Sequence, residues 1–238
     1  MSKIFVSIPV SDKPELKMMC SLYKTILSCQ DHQVKLYFNE NDSLISRVRN
    51  AHLSVFVNEY KDFDYFMSID SDLEILNCFS NNNLFSKLIS HDKDFVGGLY
   101  ALKQHDKLPM CSSVPMDKNY KKDYKDGPPS FDQGLIRMKW LSSGCWCLKR
   151  EAIMRMVEEY KSLHYTGDDN MAGKPMYGLY IPAIYEVSDN MKKYLSEDWS
   201  FCQRWLKIGG EIYADTSIVL NHIGKVPYSL WNLKTDES

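Results

Sequence analysis

Glycine is scarce, at 11 of 238 residues, and none occurs in the turn after the first apolar run, Ser11-Asp12-Lys13-Pro14. A glycine-rich phosphate cradle behind a first strand is therefore missing, which counts against a nucleotidyltransferase. Charge of one sign is lacking as well: 29 basic and 31 acidic residues leave a net −2. A general nucleic-acid binder shows a clear basic excess, so this balance argues against one and leaves only a local basic patch open. No stretch approaches the ~18 consecutive apolar residues of a membrane helix. The opening MSKIFVSIPV has no long apolar region and no small-residue cleavage site, and it reads as a strand and not as a signal peptide. CxxC is absent. The seven cysteines are an odd number without framework spacing, the closest pair being Cys145-x-Cys147. That usage suits reduced thiols in a cytosol, without a disulfide scaffold or structural zinc. No internal repeat is visible.

What is present describes an ordinary globular protein, 44% hydrophobic and 25% charged. At this length roughly 70% of the unfolded surface can be buried, so one sizeable core needs no staples. Aromatics make up 13%, including 15 Tyr and 5 Trp. Flat or sugar-like ligands attract such residues, but a thick core accounts for them more simply.

The first hundred residues alternate in type. Lys3–Val10 is a β-branched run. Pro14–Cys29 has helical spacing, with Leu16, Met19, Cys20, Tyr23, Ile26 and Leu27 on one face; Ser11 or Asp12 can cap it. Val34–Phe38 is a strand, and Leu44–Val57 a helix with Leu44, Val48, Ala51, Val55 and Phe56 on one side. Tyr65–Ile69 is a strand, Leu84–Ile89 a short helix and Phe95–Leu102 a strand. This repetition specifies an α/β domain with a largely parallel sheet. Lys103–Gln133 is polar, holds four prolines and reads as a long surface loop or extended hairpin. Strands follow at Ile136–Leu141 and Trp146–Leu148, a helix at Glu151–Tyr160, a flexible loop at Thr166–Lys174, a helix at Ser196–Ile208, and short strands at Ile212–Ala214 and Ile218–Leu220. Val226–Ser238 reads as a loosely packed tail.

Twenty aspartates predict one or two DxD triplets by chance, and three occur: Asp62-Phe63-Asp64, Asp70-Ser71-Asp72 and Asp92-Lys93-Asp94. Position separates them. The first and third precede apolar runs, at strand beginnings. Asp70 and Asp72 follow Tyr65–Ile69, at a strand's carboxyl end, where open α/β sheets bind ligands. There, Mg²⁺ or Mn²⁺ can bridge diphosphate oxygens while using one or two protein carboxylates and act as a Lewis acid on the departing phosphate. A solvated turn is the plainer alternative. Further on, Glu197-Asp198 opens a helix, where acids also simply offset the helix dipole. His222 ends a strand; it is a structural or exposed residue, or a third ligand for a Mn²⁺-type ion.

The order of IFVSIPV, SRVRNA, FMSIDSD, WLSSGCWCLKREAI, SEDWSFCQRWLKIGG and NHIG resembles the metal-dependent, nucleotide-sugar glycosyltransferases of the GT-A fold, particularly small family-2-like and viral or phage members. The resemblance spans about Lys3 to Gly224 and does not clearly cover Lys103–Gln133 or the tail. It implies a Rossmann-type α/β/α sandwich with a mixed, mainly parallel sheet, in one domain over residues 1–225. The nucleotide-binding half would be about 1–102, the acceptor-binding half about 134–225 and an insertion about 103–133, with a tail at 226–238. It implies that Asp72 binds the ion directly, that Asp70 contacts ribose or a metal-bound water, and that His222 is the third ligand. Arg47, Arg49 and Asn50 match helix residues that reach the nucleotide, and Pro9 and Val10 match the wall of the base pocket. Ser143 and Gly144 match the turn beside donor sugar and acceptor, with Trp199 nearby. Glu197 and Asp198 match an acidic pair whose second member is the general base of inverting enzymes.

The residue chemistry agrees with these roles. An acceptor hydroxyl needs a carboxylate within reach to take its proton. Arg47 and Arg49 are two apart and do not share a helix face, so at most one reaches the nucleotide. Asn50 offers both a donor and an acceptor, suited to a uracil or guanine edge, and reads equally as a solvated helix residue. The expected activity is transfer of a sugar, as by a hexosyltransferase, from a UDP- or GDP-linked donor to an acceptor hydroxyl, dependent on Mn²⁺ or Mg²⁺ and inverting through Asp198. The alternatives are a nucleotidyltransferase using the same carboxylates and a non-catalytic carbohydrate-binding protein on the same fold. The acceptor is open among a glycan, a protein, a lipid-linked sugar and modified phage-type DNA. Lys118, Lys121, Lys122 and Lys125 offer a basic cluster, but Asp117, Asp123 and Asp126 cancel most of it, so stable nucleic-acid binding is not expected. A cytoplasmic location, in a host if viral, is expected, with a soluble acceptor.

Overall fold

The computed structural model describes residues 1–39, 42–77, 83–103, 111–116, 134–188, 191–224 and 227–229. The lysine cluster of the polar middle segment lies outside them. In chain order the elements are β1 (Ser2–Ile8), α1 (Leu16–Leu27), β2 (His32–Phe38), α2 (Ile45–Glu59), β3 (Tyr65–Ile69), β4 (Leu73–Ile75), α3 (Leu84–Ser90), β5 (Phe95–Gly98) and β6 (Val114–Pro115). They continue with β7 (Leu135–Trp140), β8 (Cys145–Lys149), α4 (Arg150–Glu159), β9 (His164–Thr166), β10 (Pro175–Tyr177), β11 (Ala183–Ser188), β12 (Met191–Leu195), α5 (Glu197–Lys207), β13 (Ile212–Asp215), β14 (Leu220–Ile223) and β15 (Pro227–Ser229).

Eight strands form one sheet in the order β2-β1-β3-β8-β5-β13-β7-β6. β1, β2 and β3 run together, as do β5 and β13, while β8 and β7 run against their neighbours. Six of the eight strands therefore point one way, and the sheet is mixed but mainly parallel. Alternation along the strands feeds two cores. Ile4, Val6, Ile8, Met67, Ile69, Cys145 and Cys147 pack with Met18, Leu22 and Leu88 of α1 and α3. Phe5, Phe66, Trp146 and Leu148 pack with Phe56, Ile153 and Phe201 of α2, α4 and α5. A sheet buried on both faces in this way is the α/β/α sandwich that the resemblance implies, and it agrees with the α/β domain read from the alternating sequence. Each fully buried Phe or Leu contributes about 1.5–3 kcal/mol relative to leaving it exposed.

Two helices depart from expectation. In α1 the buried residues are Met18, Ser21, Leu22 and Thr25. Leu16, Tyr23 and Leu27, read as its core face, are 75%, 62% and 61% exposed. The reason is hydrogen bonding: Ser21 Oγ accepts the Ile75 N–H at 3.0 Å, and Thr25 Oγ1 donates to the Ser21 carbonyl at 2.9 Å. Small hydroxyls satisfied like this can be buried, and they let the helix seat closely on β4. Neither Ser11 nor Asp12 caps α1; Glu15 stands at its N-cap without a side-chain cap. In α2, Leu44 lies outside the helix and is exposed, while Arg49, Asn50, His52 and Ser54 join the buried set.

Other boundaries shift. The strand expected over Phe95–Leu102 ends at Gly98, and the one placed at Ile218–Leu220 runs over Leu220–Ile223. Within the expected tail, Pro227–Ser229 pairs with β14, which in turn pairs with β4. The Thr166–Lys174 loop holds a short 3-10 turn, Asp169–Met171, between β9 and β10. The β11–β12 hairpin has no counterpart in the sequence reading. No helix among the described residues is long and apolar enough to cross a membrane.

Candidate active site

β1 and β3 lie side by side in parallel, so Pro9 and Val10 leave the sheet on the same edge as Asp70-Ser71-Asp72. β8 runs the other way and starts at this edge, with Cys145 opposite Ile69. That sets Ser143-Gly144 against Asp70-Ser71-Asp72. The Asp70 N–H donates to the Gly144 carbonyl at 2.9 Å, and the Gly144 N–H donates to the Tyr100 hydroxyl at 3.0 Å. A Cβ on residue 144 would stand 2.7 Å from Asp70 Oδ2 and 2.6 Å from the Tyr100 hydroxyl. Any larger residue here would have to push both of those side chains aside.

Beneath Asp70 lies Arg49 of α2, almost wholly buried. Its Nη2 donates to Asp70 Oδ1 at 2.8 Å, and its Nε stands 3.8 Å from Glu197 Oε1. Nε and Nη1 have no hydrogen-bond partner among the described residues. Burial disfavours the guanidinium charge, but the Asp70 and Glu197 carboxylates more than reverse that and raise its pKa. Burial pushes the Asp70 carboxyl up; Arg49 pulls it back in part, while Asp72 and Asp198 add to the rise. Burial, then Asp198, push Glu197 up, with Arg49 again opposing.

Asp72 is held differently. Burial would raise its carboxyl, but His222 and Lys103 override that and hold it below the usual range. Lys103 Nζ is 2.6 Å from Asp72 Oδ2, and His222 Nε2 is 3.4 Å from the same oxygen. The register of β14 on β4 sets His222 opposite Leu73, and the Ile223 N–H donates to the Asp72 carbonyl at 2.7 Å. His222 Nδ1 lies 2.8 Å from the Ala101 carbonyl. A carbonyl only accepts, so Nδ1 carries the hydrogen and Nε2 is the nitrogen turned to Asp72. The first turn of α5 carries Asp198. Its Oδ1 accepts from the Ser196 hydroxyl and, at 2.7 Å, from the Trp199 N–H. A cleft of about 260 Å³ is lined by Pro9, Val10, Arg49, Asp70 and Asp72 among others.

The sequence-predicted residues thus divide. Asp70, Asp72, His222, Arg49, Gly144 and Glu197 share one network of contacts, and Pro9 and Val10 wall the adjoining cleft. Arg47 turns away from that network and pairs with Asp42, Nε to Oδ2 at 2.7 Å. Asn50 is buried, with Oδ1 accepting the Tyr180 N–H at 2.8 Å, so it is not a solvated helix residue. Ser143 is buried. Trp199 stacks on Trp140 at 4.5 Å under the Lys193 ammonium. Tyr100 and Lys103 were missed. Both follow β5, and the carboxyl-end rule that selected Asp70 applies to them equally.

Among the described residues no three His, Cys, Asp or Glu side chains gather as a metal cage. The donors of Asp72 and His222 still fit a divalent ion. Mg²⁺-type ions take one or two carboxylates and complete their shell with phosphates and waters. An imidazole whose second nitrogen is anchored on a carbonyl is oriented as a ligand should be.

No protein-family model matches the chain, and no curated protein matches it in sequence. Solved structures do. A197 from STIV matches with a TM-score of 0.52 at 17% identity, over 94% of this chain and 86% of that one. A glycosyltransferase involved in the glycosylation of the major capsid of PBCV-1 matches with a TM-score of 0.36 at 10% identity, over 65% and 63%. A 4-diphosphocytidyl-2C-methyl-D-erythritol synthase from Anaerococcus prevotii gives 0.31 at 12% identity, over 87% and 96%. The first shares this chain's fold, a Rossmann-like α/β architecture of GT-A type. The other two scores are too low to carry an argument.

Proposed function

We propose that the chain is a glycosyltransferase that moves a sugar from a UDP- or GDP-linked donor to an acceptor hydroxyl, with inversion, using Mn²⁺ or Mg²⁺. The observation that supports this reading most is the meeting of Asp72 and His222 at 3.4 Å on the sheet edge that also carries Asp70, Gly144 and the Pro9–Val10 cleft. Asp72 and His222 Nε2 would hold the ion, with Asp70 alongside. Bound there, the ion supplies Lewis-acid stabilisation of the charge that develops on the departing diphosphate.

The chain's own residues do the rest. The cleft beside Pro9 and Val10 takes the nucleotide. Arg49 fixes the Asp70 carboxylate from below and neutralises charge in a buried setting. Tyr100, its hydroxyl pushed far up first by burial and then by Asp70 and Asp198, stays protonated and locks Gly144 against Asp70. Oδ1 of Asp198 is occupied by Ser196 and Trp199, which leaves Oδ2 to take the acceptor's proton. The acceptor oxygen forms a bond to the sugar's anomeric carbon, the bond to the diphosphate breaks, and a nucleoside diphosphate departs.

Donor hydrolysis and transfer, with and without EDTA, test this. Activity lost in EDTA and in Asp72→Ala is the expected result. Full activity in either overturns it, and release of pyrophosphate in place of a nucleoside diphosphate transfers the case to nucleotidyl transfer.

A further inference from the structure

A larger cavity, of about 680 Å³, adjoins the triplet's cleft and shares Asp42 and Val48 with it. Its walls are the end of β2, one side of α2 and the segment around β9 and β10. That segment is strapped to α2. Asn58 Nδ2 donates to the Pro175 carbonyl at 2.8 Å, the Tyr177 N–H donates to Ser54 Oγ at 3.0 Å, and Lys174 pairs with Glu59 at 2.8 Å. The cavity is thus held open by fixed contacts, and its size falls in the range of small-molecule sites.

His52 lines it and is 1% exposed. Its Nδ1 lies 2.8 Å from Ser7 Oγ, and its Nε2 has no hydrogen-bond partner among the described residues. A buried polar atom left in this state is costly and marks a place for a ligand group. Ser7 can donate to or accept from Nδ1, which leaves Nε2 either as donor or as acceptor. A hydroxyl answers both tautomers, because it both donates and accepts.

The remaining walls refine the class. Two carboxylates, Asp42 and Asp168, face one guanidinium, Arg47, which is already paired with Asp42 through two hydrogen bonds of 2.7 and 3.0 Å. That balance repels a phosphate and accepts hydroxyl donors. Tyr37 and Tyr165 add flat apolar faces, and Tyr165 keeps its proton, pushed up by burial and by Asp168. Burial keeps His52 neutral, with a pKa lowered to about 3.

We propose that this cavity binds a neutral saccharide, seated against Tyr165 with hydroxyls to His52 and Asp168. Arg47 and Asn50, matched above to the nucleotide, line this cavity, and it shares Asp42 and Val48 with the triplet's cleft. Saccharide binding here needs neither nucleotide nor divalent ion, and the comparison arms below separate the two occupants.

Saturation-transfer NMR and calorimetry in EDTA, with glucose, galactose, mannose, N-acetylglucosamine and their disaccharides, test it; uridine, guanosine and inorganic phosphate form the comparison arms. At least one saccharide should bind at millimolar concentration. Tyr165→Ala and Asp168→Ala, both at the exposed mouth, should each weaken it about tenfold while the melting temperature is unchanged. His52→Phe should abolish it, with circular dichroism confirming a folded variant. No binding by any saccharide overturns the proposal. So does binding of a nucleoside that competes with the saccharide or that Tyr165→Ala alone abolishes. A thermal shift with Mn²⁺ and UDP or GDP, measured on the same variants, reports the donor cleft separately.

Discussion

Aspartate triplets of the same spelling stand at both ends of the sheet, in unlike surroundings. At the amino end, Asp62 pairs with Lys3, Asp64 accepts the Lys3 N–H at 2.7 Å, and Asp92 pairs with Lys149. Asp94 sits 3.9 Å from both Lys149 and Arg155. Each of these acids meets an ordinary surface cation or backbone donor. At the carboxyl end, Asp70 rests on a buried arginine, and Asp72 shares one oxygen between a lysine and a histidine brought from the far end of the chain. The motif is uninformative; its place on the sheet determines what gathers round it.

The largest expected contrast is in activity. Under the proposed function, Asp72→Asn should lower sugar transfer by roughly three orders of magnitude, since the Lewis-acid stabilisation a bound ion would supply is worth several kcal/mol. Asp92→Asn should leave the rate unchanged. Equal losses in the two would erase the distinction between the ends. On the same proposal, Asp198→Asn should reduce kcat by about 10²–10⁴-fold with the donor KM little altered, as removal of a general base does; a change in KM alone would move Asp198 out of the chemistry.

Stability effects come next. Arg49→Met leaves Asp70 buried without its partner and should cost about 3–5 kcal/mol in denaturant melts. Gly144→Ala, which forces a methyl against Asp70 and Tyr100, should cost about 1–3 kcal/mol. The pH dependence sharpens the contrast within the carboxyl end itself. Asp72 has a lowered pKa, so its contribution is present above the ordinary carboxylate range and is lost as pH falls through its folded value. Asp70 and Glu197 have raised pKa values, so their ionised forms burden the fold and stability is regained as pH falls through those raised values. Asp72→Asn should therefore flatten the acid-side loss in melts run from neutral pH downward, and Glu197→Gln should reduce the gain to the part that Asp70 supplies. The smallest effect belongs to Asp62→Ala and Asp92→Ala, whose exposed pairs should leave the melting temperature unchanged.

Much of the fold was legible because strands and helices announce themselves by period. Tyr65–Ile69 falls on the expected residues, and α5 begins at Glu197 as the acidic first turn suggests. The inversion of α1 was not legible, since counting apolar residues cannot reveal that Ser21 and Thr25 find partners inside. The β11–β12 hairpin escaped because Ile184 and Tyr194, paired across it, both stand exposed, so no apolar alternation marks its strands. At the candidate site, Asp70, Asp72 and His222 could be picked out singly. That Arg49 lies beneath Asp70, that Lys103 reaches Asp72, and that Arg47 leaves for Asp42 depend on side-chain directions that no spacing rule contains. Two residues of separation did place the arginines on different faces, but not which face went where.

The pairing of β14 with β4 carries one more implication. His222 meets Asp72 only when the late strand β14 has docked beside the early strand β4. A nascent or clipped chain ending before residue 220 would still build β1 to β3 and display its acidic triplet, yet Asp72 would face water without its imidazole neighbour. Assembly of this corner thus couples two distant stretches of chain, and cleavage just before β14 should part His222 from Asp72 well before it unravels the sheet.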